Sequence, residues 1–213
     1  MKFIPDISTK EIKENHINFI ERISLYKKRG LDFTRSRKFI LEKAKPLRGN
    51  ILEIGTGSGY TTLALAKDNY KFISVDKDKE ALRITALTLA YKNVLPNVIF
   101  YIMDGKFLIF NDQSFNNIVI VNLFHHINNI NIDKIFSEIN RVLCPNGKAV
   151  LADFNKSGME IVNSVHKEEG HIHENSGVNK DYVYSYFQGL GYGIKEYDEK
   201  CHWLLVARKL LKG

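Results

Sequence analysis

The chain has 213 residues, of which 44% are hydrophobic and 26% are charged, and this composition is typical of a globular protein that needs neither disulfides nor metals to fold. No stretch approaches the ~18 to 20 uncharged apolar residues of a membrane span, and the beginning of the chain lacks the apolar core of a secretion signal. The two cysteines, Cys144 and Cys201, are too few for a disulfide framework. We therefore expect no membrane partner and a reducing, cytoplasmic location.

The net charge of +7 lies in the N-terminal quarter of the chain, where residues 1–50 contain 13 Lys and Arg but only 6 Asp and Glu. The remaining residues contain 18 of each sign and are neutral overall. A basic surface of this kind can attract an anionic substrate, RNA or a membrane. A solvated helix face accounts for the same charges without any partner, and the sequence leaves both interpretations open.

Two helices are predicted before residue 50. The first covers residues 8–29, begins at Ser8 or Thr9 and ends at Gly30, and the second covers residues 34–45, before a proline. We interpret residues 1–49 as an N-terminal helical cap, although such a pair could also do no more than cover one face of a sheet. If the cap is a lid, the side chains expected to face a ligand are Tyr26, Arg29, Phe33 and Arg37.

From residue 50 onward, short apolar strands alternate with helices. The predicted strands are 51–54, 72–75, 98–103, 118–121 and 149–152, and the clearest helices between them are 79–91 and 132–143. This succession predicts an α/β fold with a doubly wound, mostly parallel sheet. A helix at 181–190 is followed by strands at 194–197 and 202–207, whose short linker allows only an antiparallel pair. We therefore expect a seven-stranded sheet with an antiparallel last strand.

The sharpest motif follows the first of these strands, where Gly55, Gly57 and Gly59 alternate with other residues and a helix begins. Glycines let a backbone approach a ligand closely, and the helix N-terminus offers free N–H groups. The spacing is G-x-G-x-G and not the G-x-G-x-x-G of dinucleotide sites. Glu53 would repel a pyrophosphate but not a cationic ligand. The alternative is a tight turn without a ligand.

Two aspartates close the next two strands. Asp76 follows Gly55 by 21 positions, at the distance where a carboxylate holds a ribose diol, although it could instead cap the helix that follows. Asp104 can accept a hydrogen bond from an adenine amino group, or it can simply be a polar strand end. The predicted cofactor site also includes the neighbouring residues Thr56, Lys77, Gly105 and Asn122.

These residues resemble the first three motifs of the class I S-adenosylmethionine (SAM)-dependent methyltransferases. Residues 138–151 are similar to the helix, proline-glycine turn and fifth strand of that family, and the resemblance extends over residues 50–209. It implies a Rossmann-like methyltransferase domain at 50–213, SAM as methyl donor and S-adenosylhomocysteine (SAH) as product. It further implies that Glu53 and the glycines lie near the methionine part of SAM, Asp76 on its ribose and Asp104 on its adenine.

The acceptor is expected beside the fourth strand, which runs into His125 and His126. Either histidine could serve as general base, because imidazole titrates near neutral pH. Alternatively, one packs under the cap and the other caps a helix. Asn122 is followed by Leu123 and not by the Pro-Pro-aromatic sequence of enzymes that methylate amino groups of nucleic-acid bases, which weakens that assignment.

A second polar cluster follows the fifth strand and consists of Asp153, His166, His171 and His173. These side chains could contact the acceptor or form a solvent-exposed loop. A metal is a weaker alternative, and we predict no metal site.

The leading hypothesis is therefore a methyltransferase with a small-molecule acceptor. The alternative is an RNA or protein methyltransferase that uses the basic N-terminal segment, so a nucleic-acid partner is conceivable but not favoured. A third alternative is a SAM-binding module without catalysis. The sequence names neither the acceptor nor the methylated atom nor the oligomeric state.

Overall fold

The computed structural model describes residues 1–127, 129–170 and 178–211. Within these residues an eight-stranded sheet carries helices on both faces. Two short 3₁₀ turns, at Leu95–Asn97 and Phe124–His126, complete the regular structure. In chain order the elements are β1 (Lys2–Phe3), α1 (Thr9–Lys28), α2 (Phe33–Ala44), β2 (Ile51–Ile54), α3 (Tyr60–Lys67), β3 (Phe72–Asp76), α4 (Lys79–Tyr91), β4 (Val98–Ile102), β5 (Phe115–Val121), α5 (Asn129–Val142), β6 (Leu143–Phe154), α6 (Lys156–Glu168), α7 (Lys180–Gly189), β7 (Gly193–Asp198) and β8 (His202–Arg208).

The strand order is β1-β4-β3-β2-β5-β6-β8-β7. The pairs from β4 to β6 are parallel, whereas β8 is antiparallel to both β6 and β7. The predicted α/β fold with a reversed last strand is therefore confirmed. The strand count of seven was one too low, because Lys2–Phe3 pairs with the edge of β4 in antiparallel register. A two-residue strand has no periodicity that a sequence pattern could reveal.

The cap helices begin where short polar side chains can accept the first free N–H groups. Ser8 accepts from the Glu11 amide at 3.3 Å, and the Glu11 carboxylate accepts from the Ser8 amide at 2.8 Å, which forms a capping box. Asp32 accepts from the Arg35 amide at 3.1 Å and starts α2 one residue earlier than expected. Gly30, at a φ of 99°, occupies the turn between the two helices.

The sheet has an apolar layer on each face because neighbouring residues of its strands alternate between the two. On β5, Ile118 and Ile120 face the layer formed with α5 and α7. Val119 and Val121 face the opposite layer, which contains α2, α3 and α4. Both layers are buried, which explains why the central strands are continuous apolar runs.

The second N-terminal helix, α2, shares this second layer. Ile40, Leu41 and Ala44 of α2 are buried in it, so α2 is part of the core as well as of the cap. α1 packs along α4 and also reaches α6, where Arg22 forms an ion pair with Glu169 at 2.7 Å. Among the described helices, none has the length and apolar character needed to cross a membrane.

Candidate cofactor and acceptor site

A cavity of about 610 Å³ lies at the carboxyl ends of β2, β3, β4 and β5. β2 and β5 are neighbours in the sheet although β3 and β4 separate them along the chain, so the strand order reverses here. Ligands of open parallel sheets bind at such a reversal. The volume lies within the range of about 300–1,000 Å³ that is usual for small-ligand sites.

The glycine loop forms the floor of this cavity. Gly55, Gly57 and Gly59 have φ values of 86°, 48° and 75°, a region that favours glycine. A Cβ at Gly57 would meet nothing within 4 Å, so bare backbone faces open space there. A Cβ at Gly59 would instead lie 2.5 Å from the hydroxyl oxygen of Thr85 on α4. Gly57 is thus free to contact a ligand, whereas Gly59 is required by helix packing.

Two carboxylates stand beside the loop on the cavity wall, at the ends of β3 and β4. Asp76 accepts hydrogen bonds from the amides of Gly57 at 2.9 Å and Asp78 at 3.0 Å. Asp104 accepts from the Lys106 amide at 3.0 Å. A carboxylate has about four lone-pair positions, so both aspartates can still accept from ligand hydroxyl or amino groups. Lys77 and Gly105 also line the cavity.

Glu53 lies buried behind the loop. One of its carboxylate oxygens accepts from the hydroxyls of Thr62 at 2.8 Å and Ser74 at 2.6 Å, and Ser74 also hydrogen-bonds to Thr56 at 2.6 Å. The other oxygen, Oε1, is buried and has no hydrogen-bond partner among the described residues. Burial raises the pKa of Glu53 to about 7, and the nearby charge of Asp76 adds to the increase. A cation bound above the loop would favour the ionised form.

Aromatic rings from α1, α2 and α3 form one wall of the cavity. Phe33 stacks on Tyr60 with ring centres 4.2 Å apart, and Tyr26 meets Phe33 edge-on at 5.1 Å. All three rings line the cavity. The Tyr60 hydroxyl is buried without a hydrogen-bond partner among the described residues, and burial raises its pKa to about 12. It therefore remains a neutral group that a ligand could satisfy.

Arg37 places a buried positive charge on the same wall. Its guanidinium donates to the Thr61 hydroxyl at 3.1 Å and to Nε2 of His202 at 3.1 Å. Burial lowers the pKa of Arg37 to about 10 and that of His202 to about 4, so at neutral pH the arginine is charged and the histidine is neutral. A fixed cation in this position suits a ligand carboxylate.

On the β5 side of the cavity, His125 is held by Asp153, the last residue but one of β6. The His125 amide donates to Asp153 Oδ2 at 3.0 Å, and His125 Nδ1 lies 2.7 Å from Asp153 Oδ1. A carboxylate only accepts, so this contact places a proton on Nδ1 and assigns the basic role to Nε2. Asp153 is 3% exposed, whereas His125 lines the cavity. This pairing between distant residues had no signal in the sequence.

Of the other described candidate residues, some line the cavity and Arg29 does not. Asn122, His126 and His166 line the cavity, and His166 Nε2 lies 3.2 Å from the Tyr26 hydroxyl. Arg29 instead joins α1 to α6, donating to Ser164 at 2.6 Å and Glu168 at 2.5 Å. His171 and His173 lie outside the described residues. Sequence reasoning overlooked the cavity-lining residues Arg22 and Phe154, which have no motif around them.

Comparison with known proteins finds similarity to methyltransferases. The model of the family described as "Methyltransferase domain" matches residues 51–147. The ubiquinone/menaquinone biosynthesis C-methyltransferase UbiE of Rickettsia prowazekii (strain Madrid E) is 32% identical over 127 residues, which is 57% of this chain and 50% of the relative. The uncharacterized methyltransferase YcgJ of Bacillus subtilis (strain 168) is 33% identical over 103 residues, 48% of this chain and 40% of the relative. The chain thus spans about half the length of these curated relatives.

Solved structures share the fold. The PH0226 protein from Pyrococcus horikoshii OT3 superposes with a TM-score of 0.68 at 19% identity, over 82% of this chain and 90% of that one. The YcgJ structure superposes with a TM-score of 0.64 at 19% identity, over 84% and 99%. The matched segment contains the glycine loop and both cavity aspartates. The chain is therefore similar to the methyltransferase family over residues 51–147, and its fold agrees with that similarity.

Proposed function

We propose that this protein transfers the methyl group of SAM to a small-molecule acceptor bound beneath the cap. The observation that carries the proposal is a single cavity with two different walls. The sheet side presents the glycine loop, Asp76 and Asp104, which suit an adenosyl ligand, and the other side presents aromatic rings and His125. A cap over such a cavity excludes water from the reaction. The division into a cap at 1–49 and a catalytic domain at 50–213 is part of this proposal.

The cofactor supplies an electrophilic methyl group and leaves as the neutral thioether SAH. We assign Asp76 to the ribose, Asp104 to the adenine and Arg37 to the carboxylate of its methionine part. Gly57 supports this placement, because its missing side chain leaves open space at the loop. The unpaired Oε1 of Glu53 lies behind the same loop and would stabilise a positive charge above it.

His125 is proposed to take a proton from the acceptor as the acceptor atom bonds to the methyl carbon and the carbon–sulfur bond breaks. Asp153 positions the imidazole and stabilises the imidazolium that forms. A base is useful when the acceptor is a hydroxyl, amine or carbon acid, and optional when it is already an anion. The name of the Rickettsia relative specifies carbon methylation in quinone biosynthesis, so we include aromatic carbon acids among the first acceptors to test.

The structure weighs against an RNA or protein acceptor held by the basic N-terminal segment. Many of its cations are in ion pairs within the chain, among them Lys27 with Asp32, Arg35 with Glu199 and Lys45 with Asp68. Their charge is therefore partly neutralised before any partner binds.

The cytoplasm remains the predicted location of the protein, and both cysteines are free.

The test is to incubate the purified protein with methyl-labelled SAM and a cell extract, and to separate metabolites, RNA and protein. We expect label in the metabolite fraction. Label confined to RNA or protein would contradict the small-molecule assignment, and absence of transfer despite SAM binding would favour a module without catalysis.

A variant isolates the role of the histidine–aspartate pair. We expect Asp153→Asn to lower kcat by about 10²- to 10⁴-fold, the usual contribution of a positioned base, while SAM affinity changes less than about twofold. Asp181→Asn, an exposed substitution in the first turn of α7, is the matched control. A kcat that Asp153→Asn leaves unchanged would show that His125 needs no positioning.

A further inference from the structure

A second cleft, of about 750 Å³, lies at the end of the strands opposite the SAM cavity. It is bounded by the end of α2 and the segment that follows it, by the amino ends of β5 and β6 and by the β7–β8 hairpin. Lys148 on its wall and Asp153 beside the SAM cavity are five positions apart on β6, which is about 16 Å along a strand. The cleft is therefore separate from the proposed methyl-transfer site.

The walls of this cleft carry positive charge only. Six basic side chains line it, and no Asp or Glu does so among the described residues. Lys45 has an ion pair, with Asp68 at 3.2 Å, whereas none of the other five forms one with a described residue. The six are Lys43, Lys45, Arg48, Lys148, Lys195 and Arg208.

Two of these cations are fixed close together. Lys148 Nζ donates to the backbone carbonyls of Ala44 at 2.5 Å and Pro46 at 2.6 Å, which hold the ammonium in place. Burial lowers the pKa of Lys148, and the like charge of Arg208 lowers it further. Arg208 itself donates to the Asn146 carbonyl at 3.3 Å. An anion in the cleft would relieve this repulsion.

The C-terminal hairpin, which carries Lys195 and Arg208, and the residues after it also present apolar side chains to the cleft. Ile194, Tyr197, Val206 and Leu210 line it, and Lys43 Nζ lies 5.2 Å from the centre of the Tyr197 ring. A ligand that satisfies both the cations and these apolar side chains combines a flat apolar group with several negative charges. Such a combination is the chemistry of a nucleotide.

We propose that this basic cleft binds a nucleoside polyphosphate, with its phosphates on the cations and its base against the hairpin. The cleft is concave and has the volume of a small-ligand site. A cleft of this volume suits one small ligand, whereas a specific nucleic-acid interface usually extends over about 1,000–2,500 Å² of protein surface. Because the two sites are separate, the ligand of the basic cleft is not the methyl acceptor. It either regulates the enzyme or anchors it to a larger molecule.

The test is calorimetric titration of the full chain with ATP and with inorganic tripolyphosphate. Saturating SAH is present throughout, so that the adenosine of ATP cannot occupy the other cavity. We expect saturable binding of both, tighter for ATP, that weakens as NaCl is raised from 50 to 300 mM. ATP that binds no more tightly than tripolyphosphate would overturn the nucleoside assignment.

Charge reversal locates the site. Arg48 and Lys195 are exposed, and the double variant Arg48→Glu/Lys195→Glu should weaken ATP binding by at least about tenfold, because each lost charged contact is worth about that much. Lys13→Glu, an exposed reversal on α1, should have no effect. SAH affinity should be the same in all variants, which separates this proposal from the methyltransferase proposal.

Two results would refute the cleft as a nucleotide site: no binding of ATP or tripolyphosphate to protein that still binds SAH, or undiminished binding by the double variant. A third is binding of an RNA oligonucleotide without binding of ATP, which would assign the surface to nucleic acid instead.

Discussion

The substitution Glu53→Gln should make the protein more stable at alkaline pH. Glu53 is 1% exposed, and burial raises its pKa from the ordinary 4.5 to about 7. The folded state therefore holds a proton on this group between pH 4.5 and 7 that the unfolded state releases. Stability from this site is greatest below about pH 4.5 and is lost as pH rises toward 7 and beyond.

The magnitude follows from the pKa difference. A shift from 4.5 to about 7 corresponds to about 3 kcal/mol at 1.36 kcal/mol per unit, of which about 2.5 kcal/mol is lost between pH 5 and pH 8. Glutamine keeps an oxygen for the hydroxyls of Thr62 and Ser74 and, like the protonated acid, places a donor at the unpaired position. It should therefore resemble the wild type at pH 5 and exceed it by about 2 to 3 kcal/mol at pH 8.

Urea unfolding between pH 5 and pH 8.5, with linear extrapolation to water, measures this difference. Glu21→Gln, an exposed substitution on α1, is the control and should change stability by less than about 0.5 kcal/mol. Parallel stability curves for wild type and Glu53→Gln over the whole pH range would refute the reasoning, because they would mean that Glu53 titrates alike in both states.

Four further substitutions test the cavity. Asp76→Ala should weaken SAM binding by about 10- to 100-fold in calorimetry, as expected for lost charged hydrogen bonds; unchanged affinity would remove the ribose assignment. Gly57→Ala should weaken SAM binding and cost about 1 to 2 kcal/mol of stability for its left-handed backbone, whereas Gly59→Ala should destabilise the fold further, because its Cβ also collides with α4; the reverse pattern in paired melting and binding assays would contradict the roles given to these glycines. Phe33→Ala should lower the free energy of unfolding by about 3 to 5 kcal/mol, since Phe33 is 4% exposed, and Phe107→Ala, at a position 68% exposed, is its control; equal effects of the two would show that the aromatic wall does not stabilise the cap.

Most of the fold was accessible from local patterns. The central strands β2 and β3 and the helix α4 lie within one residue of their predicted limits, because each is a strongly apolar or periodic run bounded by turn residues. β6 was predicted too short, at 149–152, because Pro145, Asn146 and Gly147 interrupt the apolar pattern of a strand that begins at Leu143. The two-residue strand β1 was missed because its existence depends on the edge of β4.

The residues on the proposed cofactor side of the cavity could likewise be predicted from the sequence, since one loop and two strand ends supply them. The arrangement on the proposed acceptor side could not. Arg29 was expected above the cavity but contacts α6, because the face of α1 that it occupies is set by helix packing. His125 was recognised as a candidate base, yet its partner Asp153 lies 28 positions away and is brought to it by the parallel pairing of β5 and β6.

The sequence by itself determined the order of strands and helices, the glycine loop and the two aspartates that follow, because strand periodicity and turn chemistry are local properties of the chain. The tertiary structure alone decided which polar side chains meet. It paired His125 with Asp153, buried Arg37 beside His202 and brought six cations together at the end of the strands opposite the SAM cavity. These contacts depend on strand order and helix packing, which join residues far apart in the chain.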